Sequence, residues 1–154
     1  MSGRTLLATI IVIAGTITTS FFQSSQEVYL VVADARTGET LLESPMKTGE
    51  ELTISWIHSV EKTPWNETYQ IQEDNLLLKS TSFQSYGAGV PHQSGDAKTE
   101  NGMIIYENID EHFDELSWIH SHDAKHEITV NDETLVAVED LPHHESIRLF
   151  VEKR

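Results

Sequence analysis

A chain of 154 residues with 25 Asp and Glu against 10 Lys and Arg, eight histidines and no cysteine has tight limits. It is long enough for one domain, carries no disulfide framework, and must fold on a hydrophobic core alone. Its formal charge of −15 repels nucleic acid and anionic lipid headgroups, which excludes nucleic acid as a partner; a cationic partner or divalent cations suit such a surface.

The N-terminus departs from the rest. Arg4 precedes a charge-free apolar run, Leu6 to Phe22, which as a helix would span about 25 Å, the short end of what crosses a bilayer. The basic-then-apolar order is also that of a secretory signal. The run predicts a membrane or signal helix over 1–26, linker included, with Arg4 inside. The rest, 27–154, becomes one extracytoplasmic domain, single-pass on the cell membrane or secreted.

From Val28 onward the periodicity is that of strands. "VYLVVADARTGETLLESPM" reads as strand, turn at Asp34–Gly38, strand. "ELTISWIHSV" alternates, placing Leu52, Ile54, Trp56, His58 and Val60 on one face and Ser59 and Glu61 on the other. "ETYQIQEDNLLLKSTSF" predicts a hairpin about Glu73–Asn75. "GMIIYENI", "LSWIHS", "KHEITVNDETLVAVED" and "ESIRLFVEK" add about five strands, with a turn at Asn131–Asp132. Ser85–Gly102, with four glycines and a proline, predicts one long surface loop of the kind that is usually functional or mobile. About ten short antiparallel strands predict an all-β sandwich or partly open barrel.

Two of the three tryptophans head the same tetrapeptide, "WIHS", at Trp56 and Trp118. On a regular strand His58 and Ser59 point to opposite faces, and no sharp turn underlies the serine, so a Ser–His hydrolase pair is not formed there. After the first copy, Pro64 is expected to end the ladder because it has no N–H, and Glu61 and Glu67 flank that break, able to meet across it. Trp65, in this polar turn, is expected to be partly exposed; Trp65 and Tyr86 are the aromatic candidates for a binding face. Gly87 and Gly89 can turn backbone N–H groups toward an anion or carboxylate. After the second copy come His120, His122 and His126, with Asp123 between. A His-x-His pair on a strand can supply two metal ligands, with a third from His126, His58 or the pair His143–His144.

"WIHSVEKTPWNETY" and "FQSYGAGVP", in this order and spacing, resemble the DUF1850 family of uncharacterised bacterial and archaeal proteins. The family-like pattern lies in His58, Ser59, Glu61, Pro64 and Glu67, then Phe83, Ser85, Gly87, Gly89 and Pro91. The resemblance implies an N-terminal signal or anchor and one compact domain, with genes often beside those for TAXI-type tripartite uptake transporters. It implies no reaction.

Three functions are therefore expected of this sequence. The first is a non-enzymatic accessory or binding domain serving a solute-uptake transporter. It would hold a small solute through His58, Ser59, Glu61, Glu67, Ser85, Gly87, Gly89, Trp65 and Tyr86. The second is a metal-binding or metal-dependent hydrolytic module using His120, His122 and His126, with a divalent metal as its cofactor. The third is a purely structural envelope protein, in which the two motifs only pack against each other.

Overall fold

The computed structural model describes residues 27–85 and 95–154. These form eleven strands: β1 (Val28–Asp34), β2 (Thr40–Met46), β3 (Glu51–Ile57), β4 (Pro64–Ile71), β5 (Leu76–Phe83), β6 (Asp96–Glu100), β7 (Met103–Phe113), β8 (Glu115–Ile119), β9 (Glu127–Val130), β10 (Glu133–Val136) and β11 (Ser146–Lys153). A single 3-10 turn, Val138–Asp140, interrupts them. Every strand pairing is antiparallel. Four strands make one sheet, in the order β2-β1-β11-β8, and seven make the other, β10-β9-β3-β4-β5-β7-β6. The all-β sandwich is thus present, and the open-barrel alternative is not needed.

Alternation explains which residues the sheets bury. Leu30, Val32, Ile147 and Leu149 from the four-stranded sheet and Leu52, Ile71, Leu76 and Ile128 from the seven-stranded sheet are 0–1% exposed and share one core. A smaller cluster of Trp65, Phe83 and Tyr106, with Trp56, Ile104 and Ile109 against it, draws only on the seven-stranded sheet. Its rings run across adjacent strands: Trp56 on Trp65 at 5.7 Å, Trp65 on Phe83 at 4.6 Å, Phe83 on Tyr106 at 6.0 Å. Such cross-strand aromatic pairs stabilise a sheet beyond the area they bury.

Several expectations are corrected. The N-terminal membrane or signal helix is one: among the described residues no helix is long and apolar enough to cross a membrane. The helical segment among the described residues is the three-residue 3-10 turn at Val138–Asp140. The run 6–22 lies outside the described residues. Nothing among the described residues supports the anchor, the single-pass location or the membrane as partner. Trp65 is not partly exposed but 5% exposed, because Pro64 opens β4 opposite Ile57 instead of ending the ladder, so that Trp65 already faces inward. Proline at the first residue of a strand loses no ladder bond that matters.

The long loop is shorter than its composition suggests. Its last third is β6, an edge strand joined to β7 by Asn101 and Gly102, both left-handed (φ 51° and 80°), the combination of a two-residue hairpin turn. Gly95 precedes it at φ 92°, where any Cβ would collide with the Glu107 carbonyl oxygen. The Asn131–Asp132 turn between β9 and β10 is as expected, again left-handed at both residues (φ 48° and 66°).

The core makes a direct test. Leu30→Ala and Ile147→Ala, at fully buried positions, are expected to destabilise the fold by about 2–5 kcal/mol in urea denaturation. Ile119→Ala, 59% exposed on the edge strand β8, is expected to change stability by no more than about 0.5 kcal/mol.

Candidate functional site

The two "WIHS" copies do not stay on strands to their ends. β3 stops at Ile57 and β8 at Ile119, so each histidine is the first residue of a turn. The turns are tied together. The Ile57 N–H donates to the Ala124 carbonyl at 2.7 Å, while Trp56 and Trp118 both pack on the His126 ring, at 6.3 and 6.4 Å. The repeat thus brings two strand ends to a single histidine corner.

His120 sits at the base of that corner with 0% exposure. Its N–H donates to the Glu145 carbonyl and its carbonyl accepts from the His144 N–H, both at 2.8 Å. Its Nε2 donates to the Val138 carbonyl at 2.8 Å, which puts the lone pair of the neutral ring on Nδ1. That Nδ1 is buried with no hydrogen-bond partner among the described residues. His122 is held in the same way, Nε2 donating to the Leu141 carbonyl at 2.9 Å, with Nδ1 3.1 Å from the Glu139 carboxylate. His126 accepts the Ser121 N–H through Nδ1 at 3.2 Å. These three rings, expected as ligands together, neighbour one another, with His120 5.5 Å from both others. Among the described residues their nitrogens do not form a set within ligand spacing of one another.

The donors that do converge are next to them. One ligand atom each from Asp123, His143 and His144 lies within 4.8 Å of the others, all on exposed residues. Asp123 comes from the turn after β8; His143 and His144 come from the turn before β11. His144 adopts φ 65°, a left-handed conformation that histidine tolerates better than most residues, and its N–H is fixed by His120. The His143 and His144 rings stack at 3.6 Å, and His122 lies 4.6 Å from His143. Two imidazoles and a carboxylate could coordinate a divalent metal, and the set matches borderline first-row ions better than Ca²⁺ or Mg²⁺, which want all-oxygen shells.

The first motif divides. His58 accepts the Glu61 N–H through Nδ1 at 3.2 Å and stacks on Trp65 at 5.6 Å. Ser59 is exposed in the turn. The Glu61 carboxylate accepts from the Ser85 hydroxyl at 3.1 Å, a side-chain hydrogen bond between the two family-like segments, which also meet where Trp65 stacks on Phe83. Tyr86, Gly87 and Gly89 lie outside the described residues. Glu67 does not meet Glu61 across the turn. It stands inside β4 between Trp65 and Tyr69 on the inward face, accepting from the Tyr69 hydroxyl at 2.7 Å. Burial pushes its carboxyl above the ordinary range, the Tyr69 hydrogen bond opposing. Burial conversely pulls His120 and His126 below the ordinary value of 6.5.

Sequence reading missed the commitment of the histidine nitrogens to backbone carbonyls, which no residue pattern announces. It also missed that Glu67, a carboxylate in an alternating segment, occupies an inward position; the alternation Trp65, Glu67, Tyr69, Ile71 was the available signal.

Comparison with known proteins gives one match. The family model described as "Domain of unknown function (DUF1850)" matches residues 52–136, more than half of the chain. No curated protein and no solved structure matches. The matched span contains both "WIHS" copies and Asp123, and ends before His143 and His144.

The shifts set opposite pH dependences. His120 and His126 favour the neutral ring when folded, so their contribution is full above about 6.5 and is lost as pH falls through their lower folded values. Glu67 favours its proton when folded, so its contribution is full below about 4.5 and is lost as pH rises through the raised value. Glu67→Gln is expected to raise stability at pH 7–8, with the gain shrinking toward zero below about pH 4.5, as measured by urea denaturation across pH. A loss at neutral pH would show that the ionised carboxylate is needed.

Proposed function

We propose, for a chain that belongs to the DUF1850 family of uncharacterised domains, that it is a divalent-metal-binding module seated on Asp123, His143 and His144. What carries the reading is their convergence, two imidazoles and a carboxylate within 4.8 Å on one exposed corner. Ligand atoms around a four-coordinate ion with bonds near 2.0 Å stand about 3.3 Å apart. The side chains must therefore draw in by at most about 1.5 Å, within the reach of exposed rotamers. Three protein ligands leave a coordination position for water or a further ligand. The net charge of −15 adds a long-range attraction for cations.

Binding has a local consequence that follows from imidazole chemistry alone. His143 now accepts the His122 N–H through Nδ1 at 3.0 Å. If the ion takes Nδ1, that lone pair is no longer available; if it takes Nε2, the neutral ring carries its proton on Nδ1 and cannot accept. Either way loading must break the His122–His143 bond, so the ion and the His122 amide compete for one ring.

Zn²⁺ titration of the full chain, followed by thermal melting, is expected to stabilise it by about 2.7 kcal/mol at a free concentration one hundred times Kd, while Ca²⁺ and Mg²⁺ have little effect. Asp123→Asn, His143→Ala or His144→Ala is each expected to weaken Zn²⁺ binding at least about tenfold. The His122 amide resonance is expected to shift on loading more than amides of the distant β6. Absence of any Zn²⁺-dependent shift in melting would sink the reading.

A further inference from the structure

We infer that the corner has a second metal seat, between His122 Nδ1 and the Glu139 carboxylate, beside the one formed by Asp123, His143 and His144. The inference rests on the metal-binding reading above and extends it to a two-ion site.

The argument begins with the tautomer. A carbonyl oxygen only accepts, so the 2.9 Å contact to Leu141 fixes the His122 proton on Nε2. In the neutral ring Nδ1 then carries a bare lone pair. Facing it at 3.1 Å is a carboxylate oxygen of Glu139, also an acceptor. Two acceptors at that distance repel unless a cation joins them, either a proton on Nδ1 or a metal ion. Their separation is close to the roughly 3.3 Å between neighbouring ligand atoms of a four-coordinate ion. A histidine whose second nitrogen donates to a backbone carbonyl is also oriented as metal-ligating histidines usually are. The Glu139 side chain, 79% exposed, leaves the seat open to solvent. The turn that carries Glu139 is held in shape by Asp140, whose carboxylate accepts the Ala137 N–H at 2.7 Å.

The two seats are neighbours. The His122 ring lies 4.6 Å from the His143 ring, and Asp123 follows His122 in the chain. Paired divalent sites hold ions about 3.5–4 Å apart and place carboxylates to offset their repulsion; here Asp123 and Glu139 supply one each. Asp123, His143 and His144 belong to the first seat, His122 and Glu139 to the second, and solvent fills the remaining positions.

Equilibrium dialysis of the full chain against Zn²⁺, with metal analysis, tests this. Two equivalents are expected for the natural chain. Glu139→Gln, an exposed change that leaves the fold intact, is expected to bring this to one by weakening the second step at least about tenfold. The His122 ring nitrogen resonance is expected to move with the second equivalent. One equivalent in the natural chain overturns the second seat, a proton then joining His122 and Glu139, and leaves the first seat standing. No bound metal overturns both seats. Two equivalents that persist in Glu139→Gln overturn the assignment to this pair.

Discussion

His120 is the residue on which the corner depends. It has no exposed surface, yet its N–H, its carbonyl and one ring nitrogen are each bonded to a different point of the chain: Glu145, His144 and Val138. Burying three polar groups is tolerable only because each is satisfied. Together these bonds pin the 3-10 turn and the turn before β11 to the end of β8. With the His122 bonds to His143 and Leu141 they hold His143 and His144 over Asp123. The buried ring therefore shapes a site to which it lends no ligand. Its own Nδ1 remains unpartnered, the place where this economy is incomplete.

The aromatic seam does comparable work across the seven-stranded sheet. Four rings from β3, β4, β5 and β7 stack in sequence, and Trp56 at one end touches His126. Dense ring packing of this kind resists shear between strands, so the turn bearing Asp123 rests on a stiff platform. Glu67 is embedded beside that seam. A carboxyl in such a place costs stability when ionised, which marks it as the least comfortable charge in the described core.

The sequence was legible where local chemistry decides. Alternation located β3, a short apolar run located β1, and Asn131–Asp132 marked the hairpin of β9 and β10 because few residues accept two left-handed conformations in a row. Asn101–Gly102 carried the same signal for β6, but glycine-rich, polar surroundings hid the strand, whose five residues are all exposed and show no alternation. At the site, the pair His143–His144 was visible as a possible third ligand, and Asp123 only as a neighbour of the histidines. What could not be read was the partition among histidines. Which nitrogen is free depends on carbonyls at Val138 and Leu141 that approach only once the chain has folded. Trp65 fails for a related reason: its polar neighbours suggest a turn, while strand pairing with Ile57's neighbour Trp56 turns it inward.

The pairing of β1 with β11 joins residues more than a hundred positions apart, Val28 opposite Lys153, and both strands are interior to their sheet. Closing so large a loop is entropically slow compared with forming local hairpins. As the chain emerges during synthesis, the seven-stranded sheet, built wholly from residues 51–136, can therefore assemble while β1 and β2 wait without their partner. The four-stranded sheet can close only after residues 146–153 have been made, and its pairing of Ser146 with Ile119 lies directly beside the histidine corner. Closure of the shared core thus waits on the last of the described strands.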